Sequence, residues 1–195
     1  MSTMFSIENL VVNKNRNPIC TLDSASASVS EVIGITGANG SGKSTLLRVL
    51  AGIETGFTGN ISFPQHDVQI GYLHQRPYLF RGTVFANVTY GIKDRTIDSP
   101  EMQRADWLMS ELGISDLRDR ICDSLSGGEA RRVALARTLV VNPTLILLDE
   151  PFSDLDSVGI DAVCKTLATI TTATIVIVQP NSFPAELQLD QLIKL

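Results

Sequence analysis

The chain has 195 residues, of which 44% are hydrophobic and 19% are charged, and its formal net charge is −5. This length fits a single domain that can bury a full core, and the acidic balance argues against a nucleic-acid-binding surface. The first ten residues lack the basic start and apolar core of a signal peptide, and no apolar run approaches the roughly 18 residues needed to span a bilayer. The sequence therefore predicts a cytoplasmic protein with no nucleic-acid partner, which reaches a membrane only through another protein.

The three cysteines, Cys20, Cys122 and Cys164, are widely spaced and form no CxxC pair. An odd number of isolated cysteines fits neither a disulfide framework nor a zinc site. We expect three reduced thiols that behave as small buried hydrophobic side chains.

Short apolar runs alternate with helical patterns along the chain, which predicts an α/β fold with a largely parallel sheet. A buried strand is predicted at 32–35 and a helix at 44–50, with Gly52 ending the helix. Further strands are predicted at 70–73, 145–148 and 174–178.

Two later helices are marked by apolar residues at helical spacing. Ser99 and Pro100 supply an N-cap and a first-turn proline, and Gly113 ends the pattern. The second apolar stripe runs from Ile160 to Ile170. Both stripes are expected to face the core. The segment from about 76 to 124 lacks strong strand runs, which predicts a mostly helical inserted subdomain.

A glycine-rich turn follows the first predicted strand and matches the pattern G-x-x-x-x-G-K-[ST]. Its residues are Gly37, Ala38, Asn39, Gly40, Ser41, Gly42, Lys43 and Ser44. Glycines let backbone N–H groups converge on phosphate oxygens, and the following helix N-terminus adds positive potential. We expect Lys43 to bridge the β- and γ-phosphates and the hydroxyl of Ser44 to ligate Mg²⁺.

The apolar strand at 145–148 is followed by two carboxylates, Asp149 and Glu150. The carboxyl end of such a strand lies at the crevice where α/β sheets bind phosphates, so Asp149 is expected to hold Mg²⁺. Alternation along a strand predicts that Glu150 points elsewhere than Asp149. From there it could polarise the attacking water. Many strands end in acidic turns, so the two carboxylates indicate a metal site only in combination with the phosphate loop.

Residues 125–129, LSGGE, open a predicted helix from Glu129 to about Val141 that carries Arg131, Arg132 and Arg137. A second helix N-terminus with exposed amides indicates a second anion site. The alternative is an N-cap followed by a solvated, charged helix face.

Together the ordered motifs resemble the nucleotide-binding domain of ATP-binding-cassette proteins over nearly the whole chain. GANGSGKST, which adds Thr45, is like the Walker A motif, Gln75 is like the Q-loop glutamine, and LSGGE is like the signature. LILLDE resembles Walker B, and residues 153–156, SDLD, resemble the D-loop. The resemblance implies one P-loop domain over 1–195, with a core at about 1–75 and 125–195, a small N-terminal β subdomain and a helical subdomain at about 76–124.

The resemblance also implies an ATPase that works as a homodimer, in which each ATP lies between the Walker A motif of one chain and Ser126, Gly127 and Gly128 of the other. Glu150 and Lys43 would be catalytic, and Mg²⁺ would be held by Ser44, Gln75 and Asp149. Closure on ATP would drive a transmembrane permease, so the protein would lie at the inner face of the membrane. The aromatic segment after Gln75, beginning RPYLF, would either dock that permease or belong to the subdomain core.

Two positions depart from the family pattern. Lys14 stands where an aromatic residue is expected to stack on adenine, and Gln179-Pro180 replaces a switch histidine. Glutamine can hydrogen-bond the γ-phosphate but cannot donate a proton as histidine does, so slow hydrolysis is expected. The alternative function is a soluble regulatory nucleotide-binding protein with little turnover. His66 and His74 lie far upstream and are expected to have surface or packing roles.

Overall fold

The computed structural model describes residues 2–65 and 67–195, so the expectation for His66 falls outside the described residues. Backbone contacts divide the chain into two compact units. The first unit contains the residues up to Tyr72 together with Thr144–Glu150 and Thr171–Leu195. The second contains Leu73–Pro143 and Pro151–Ile170.

In chain order the elements are β1 (Thr3–Lys14), β2 (Asn17–Ser28), β3 (Val32–Thr36), α1 (Lys43–Leu50), β4 (Phe57–Ser62), β5 (Ile70–Leu73), α2 (Val84–Val88), α3 (Pro100–Glu111), α4 (Gly127–Leu139), β6 (Leu145–Asp149), α5 (Ser157–Ala168), β7 (Thr174–Gln179) and β8 (Gln191–Lys194). Two short 3₁₀ turns lie at Ser115–Leu117 and Cys122–Ser124.

The first unit contains a five-stranded sheet in the order β5-β6-β7-β3-β8, and the α/β class predicted from the sequence is confirmed. β6 pairs in parallel with β7, and β3 pairs in parallel with both β7 and β8. Every residue of β6 and β7 is buried, which explains why these strands are continuous apolar runs. Leu46, Leu47 and Leu50 of α1 belong to the core of this unit.

The first unit also contains a three-stranded antiparallel sheet in the order β2-β1-β4. A two-residue turn joins β1 to β2, and both of its residues, Asn15 and Arg16, have positive φ angles of 52° and 66°. Such turns match the twist of the strands that they connect. The third strand, β4, follows α1 in the chain, so this sheet is not purely N-terminal.

The second unit contains α2 to α5. The predicted N-cap of α3 is confirmed, because the Ser99 hydroxyl accepts a hydrogen bond from the Met102 N–H. The predicted start of the next helix is wrong by two residues: α4 begins at Gly127, since Ser126 supplies its N-cap. Cys20, Cys122 and Cys164 are buried and form no disulfide with one another, as expected. Among the described residues, no helix is long and apolar enough to cross a membrane.

A β-bulge on β1 generates a stability prediction at Gly59 of β4. The pairing of β1 with β4 is irregular between Glu8 and Val11, where Asn9 has a φ of 50°. Gly59 has a φ of 100°, and a Cβ there would lie 2.3 Å from the carbonyl oxygen of Asn9.

We expect Gly59→Ala to lower the free energy of unfolding by about 2–4 kcal/mol, because it combines a left-handed alanine with a backbone clash. Gly56→Ala is the matched control: a Cβ there meets only the Glu54 side chain, at 3.3 Å. This control should change stability by about 0.5 kcal/mol or less. Urea unfolding of both variants measures the difference, and equal midpoints would show that the bulge tolerates a side chain.

Candidate functional site

The predicted phosphate loop connects β3 to α1 in the first unit. Ala38, Asn39 and Gly40 form its exposed part, and the chain then turns into the helix at Gly42. Gly42 has a φ of 98°, and a Cβ there would lie 2.4 Å from the carbonyl oxygen of Ile19 on β2. Only glycine fits this position, because the left-handed backbone and the neighbouring strand both exclude a side chain.

Lys43 begins α1, and only 6% of its surface is exposed. Its Nζ donates hydrogen bonds to the carbonyl oxygens of Gly37 at 2.7 Å and Ala38 at 2.8 Å. The ammonium group is therefore held over the loop. The first-turn N–H groups of α1, where Ser44 and the buried Thr45 lie, have no acceptor within the helix. A fixed cation and a helix N-terminus at one loop form a site suited to phosphate.

Asp149 ends β6 with 1% of its surface exposed. The Ser44 hydroxyl donates a hydrogen bond to its Oδ1 at 3.0 Å. The two residues thus bring a hydroxyl and a carboxylate oxygen together beside the phosphate loop. Oxygen ligands of this kind are those that Mg²⁺ prefers, so the donor set fits the predicted metal.

Tyr72 of β5 was missed by the sequence reasoning. Burial, the charge of Asp149 and a hydrogen bond with that carboxylate raise the pKa of the Tyr72 phenol to about 12, although the nearby Arg48 acts in the opposite direction. The phenol therefore stays protonated over the physiological range and faces the buried carboxylate as a neutral donor. The one signal in the sequence was a hydroxylated aromatic residue on the strand that leads to Gln75.

Glu150 lies beyond the end of β6, so the expectation that strand alternation sets its direction is wrong. Its backbone adopts a left-handed conformation with a φ of 51°, and its N–H donates a hydrogen bond to the Val178 carbonyl at 3.0 Å. Non-glycine residues with positive φ are uncommon, and those held by their surroundings are frequent at functional sites. The chain thus leaves the strand direction at Glu150, immediately after Asp149.

Gln179, which stands where the family resemblance leads us to expect a histidine, ends β7 in the same unit. It pairs with Thr36, the last residue of the strand before the phosphate loop, and 8% of its surface is exposed. The first unit thus carries the phosphate loop, both carboxylates of the strand motif and Gln179.

The second unit carries Gln75 and the serine–glycine motif at 126–128. Ser126 and Glu129 form a reciprocal capping box, in which the Ser126 N–H donates to Glu129 at 2.7 Å and the Glu129 N–H donates to the Ser126 hydroxyl at 3.3 Å. The bond from the Ser126 backbone, followed by that from its side chain, lowers the pKa of Glu129. The N–H groups of Gly127 and Gly128 have no acceptor within the helix.

A pocket of about 370 Å³ opens at this helix N-terminus. It is lined by Ser126, Gly127, Gly128, Glu129, Arg132, Asp154, Leu155 and Asp156. The loop that resembles the D-loop therefore forms one wall of the predicted second anion site. The alternative of a solvated charged face is wrong for Arg131, of which 5% is exposed.

Three aromatic side chains after Gln75 form a surface cluster in the second unit, which we call the aromatic cluster: Tyr78, Phe80 and Tyr90. Phe80 and Tyr90 stack with ring centroids 4.2 Å apart, and Tyr78 meets Phe80 edge-on. Tyr78 and Tyr90 are 70% and 58% exposed, so they are not core residues. Arg137 lies over the Phe80 ring and donates to the Tyr78 carbonyl at 2.6 Å, which holds the cluster at the surface.

Comparison with known proteins finds relatives among the ATP-binding proteins of transport systems. The family model described as ABC transporter matches residues 23–153. The sulfate/thiosulfate import ATP-binding protein CysA of Pseudomonas aeruginosa is 40% identical over 168 residues, which cover 78% of this chain but 51% of that protein. The chain thus spans about half the length of that relative.

A second relative matches over most of its own length. The tungstate uptake system ATP-binding protein TupC of Peptoclostridium acidaminophilum is 33% identical over 182 residues, covering 89% of this chain and 85% of that protein. Among solved structures, a bacterial Atm1-family ABC exporter with ATP bound superimposes with a TM-score of 0.81 and 25% identity, over 92% of this chain and 35% of that one.

The contact between Tyr72 and Asp149 generates a pH prediction. Because the pKa of the Tyr72 phenol is raised to about 12, above its ordinary value near 10, the folded state binds the phenolic proton more tightly than the unfolded state. The contribution of this phenol to the free energy of unfolding is therefore fully present below about pH 10 and is lost as the pH rises towards about 12.

We expect Tyr72→Phe to remove a tyrosinate absorbance change with a midpoint near 12 and to make stability fall less steeply in that range. The titration is followed without nucleotide or divalent metal. Tyr90→Phe, at an exposed position, should leave that component in place. If the component survives in Tyr72→Phe, the phenol does not face the carboxylate.

Proposed function

The chain belongs to the ABC transporter family, and from this premise we propose that it is the ATP-binding and ATP-hydrolysing subunit of such a transporter. The observation that carries the proposal is the arrangement of Lys43, Ser44 and Asp149 at one loop of the first unit. A buried cation, a helix N-terminus and a hydroxyl–carboxylate pair together suit a nucleoside triphosphate and its metal ion.

ATP would bind with its phosphates on the loop amides from Gly37 to Thr45 and on the ammonium of Lys43. Ser44 and Asp149 would hold Mg²⁺, which supplies charge neutralisation to the phosphates when bound. Gln75, which the family resemblance also assigns to the metal, lies in the second unit, and this role stays a prediction. In-line attack of water on the γ-phosphoryl group is then mainly a matter of positioning and electrostatic stabilisation.

Glu150 is the proposed group that orients or deprotonates the attacking water. It directly follows the buried metal-site carboxylate, and its left-handed backbone is fixed by the hydrogen bond to the Val178 carbonyl. Glu150 lies outside β6, so the strand does not make its side chain share the environment of Asp149. The two carboxylates can therefore serve different roles. Lys43 is proposed to stabilise charge that develops on the transferred phosphoryl group.

A second copy of the chain is the proposed partner for the pocket at Ser126, Gly127 and Gly128. That pocket offers helix-terminal N–H groups to an anion, and it belongs to a unit that does not contain the phosphate loop. In a twofold homodimer each such pocket would receive the phosphates of the ATP held by the other chain. The transport cycle would then consist of dimer closure on ATP and opening after hydrolysis.

A transmembrane permease is the proposed second partner, which would place the protein in the cytoplasm at the inner face of the membrane. The aromatic cluster supports this proposal, because two of its three rings are mostly exposed and Arg137 holds them in place. Exposed aromatic residues are typical of protein interfaces. Names of relatives that refer to sulfate/thiosulfate import and tungstate uptake support import of an oxyanion.

The second candidate function is a nucleotide-binding regulator with little turnover, and Gln179 is the observation that favours it. Its buried amide stands where the family pattern has a histidine. Measuring phosphate release by the purified chain separates the two candidates, because a regulator would bind ATP without releasing phosphate.

Glu150→Gln is expected to retain ATP binding and to lower turnover by about 100-fold or more, the usual contribution of a general base. The amide keeps the size and hydrogen bonding of the side chain but cannot accept the proton. Phosphate release measures turnover, and size-exclusion chromatography with ATP and Mg²⁺ should reveal a trapped dimer. Glu186→Gln, at an exposed position of the same unit, is the control and should behave as the wild type. Normal turnover of Glu150→Gln would remove Glu150 from this role.

Lys14→Tyr is expected to tighten ATP binding by about tenfold, since stacking of a base on an aromatic ring is worth about 1–3 kcal/mol. Lys14 is exposed and is the last residue of β1, at the tip of the hairpin whose second strand touches Gly42. With lysine there, ATP and GTP should bind with similar affinity. Calorimetric titration of both nucleotides in the Glu150→Gln background tests this.

Lys14→Ala is the matched control, because it removes the cation without adding a ring. Its ATP affinity should stay within about twofold of the parent. A strong preference for ATP in the parent, together with no gain in Lys14→Tyr, would mean that another residue holds the base.

A further inference from the structure

The guanidinium of Arg131 joins two segments that are far apart in the chain. Its side chain is 6% exposed and lies in the second turn of α4. One terminal nitrogen donates to the carbonyl oxygen of Gln75 at 3.1 Å, and the other donates to Oδ2 of Asp154 at 3.1 Å. A planar guanidinium can hold two acceptors in fixed directions, which a lysine cannot do.

Asp154 in turn lies directly against the glycines at the start of α4. A Cβ on Gly128 would be 2.8 Å from the Asp154 carbonyl oxygen, and one on Gly127 would be 3.5 Å from the Asp154 Cβ. Asp154 has a φ of 62°, an uncommon conformation for aspartate, and its side chain is 67% exposed and lines the pocket. The position of this residue therefore shapes the wall beside the helix-terminal N–H groups.

The charge of Asp154 is unfavourable in a pocket that is to receive phosphate. Two other acidic residues of the pocket have local backbone roles: Glu129 belongs to the capping box, and Asp156 accepts from the Gly159 N–H at 2.8 Å as the N-cap of α5. Like charges brought together at an interface oppose association. The pairing with Arg131 offsets the charge of Asp154 from the buried side of the wall.

We propose that Arg131 is a positioning residue, which neutralises Asp154 and fixes it against Gly127 and Gly128 so that the pocket accepts the phosphates of a nucleotide held by a second copy of the chain. This inference rests on the proposed function. It adds a determinant of ATP-driven association at a residue that is not among those lining the pocket. Through the Gln75 carbonyl, the same guanidinium ties that wall to the segment leading into the aromatic cluster.

The test uses the Glu150→Gln chain as parent and measures, by sedimentation, the ATP concentration at which half of it is dimeric. Arg131→Gln should raise this concentration about tenfold, because it leaves the Asp154 charge unpaired at the pocket. Adding Asp154→Asn to Arg131→Gln should restore it to within about twofold of the parent, since the repulsive charge is gone. A double variant no better than Arg131→Gln would overturn the proposal.

Arg104→Gln is the matched control for loss of a structural guanidinium. Arg104 donates to the Leu139 carbonyl oxygen at 3.0 Å in the same unit and does not line the pocket. It should lower the melting temperature without changing dimerisation by the folded protein. A purely structural role of Arg131 predicts the same pattern, together with no rescue by Asp154→Asn.

If Arg131→Gln does not fold, a substitution at the exposed residue Asp154 tests the proposal by itself. Asp154→Asn in the parent should dimerise at an equal or lower ATP concentration, and a large increase would overturn the neutralising role. A parent that fails to dimerise with ATP would instead contradict the proposed function. A parent that dimerises, with Arg131→Gln dimerising equally well, contradicts only the role of Arg131.

Discussion

A carboxylate buried as deeply as that of Asp149 must be compensated, because an ionised group removed from water without partners costs several kcal/mol or more. Its compensation comes from a hydroxyl at the start of α1 and from the phenol of Tyr72 on β5. For the hydroxyl and the carboxylate to meet, β6 and the strand before α1 must present their carboxyl ends at one edge. Parallel pairing meets this requirement, because β6, β7 and β3 run in one direction.

The parts of this arrangement that the sequence predicts are local ones. The strand–loop–helix around Lys43 was predictable because phosphate binding requires glycines, a lysine and a helix start at fixed spacing. The buried strands were predictable because a strand covered on both faces reads as a continuous apolar run. The N-cap at Ser99 was predictable because a serine just before a helix can accept a hydrogen bond from a backbone N–H three residues later.

Features that depend on distant segments were not predictable. The antiparallel sheet combines two strands before the phosphate loop with one after α1, and no local sequence pattern predicts that pairing. The charges on α4 look solvated in the sequence, but Arg131 is buried because acceptors from two other segments reach it. Strand alternation does not apply to Glu150, because the chain leaves the strand at that residue through a left-handed backbone.

The topology of the central sheet also has a consequence for the order of folding during synthesis. β3 leads into the phosphate loop, yet its two neighbours, β7 and β8, come much later in the chain than β3 does. Non-local strand pairing is slow, since the loop must close before any contact rewards it. During synthesis β3 therefore lacks both of its strand partners until β7 and β8 have been made. The proposed nucleotide site also includes Asp149 and Gln179, which end two of the later strands, so a complete site requires those strands to have joined the sheet.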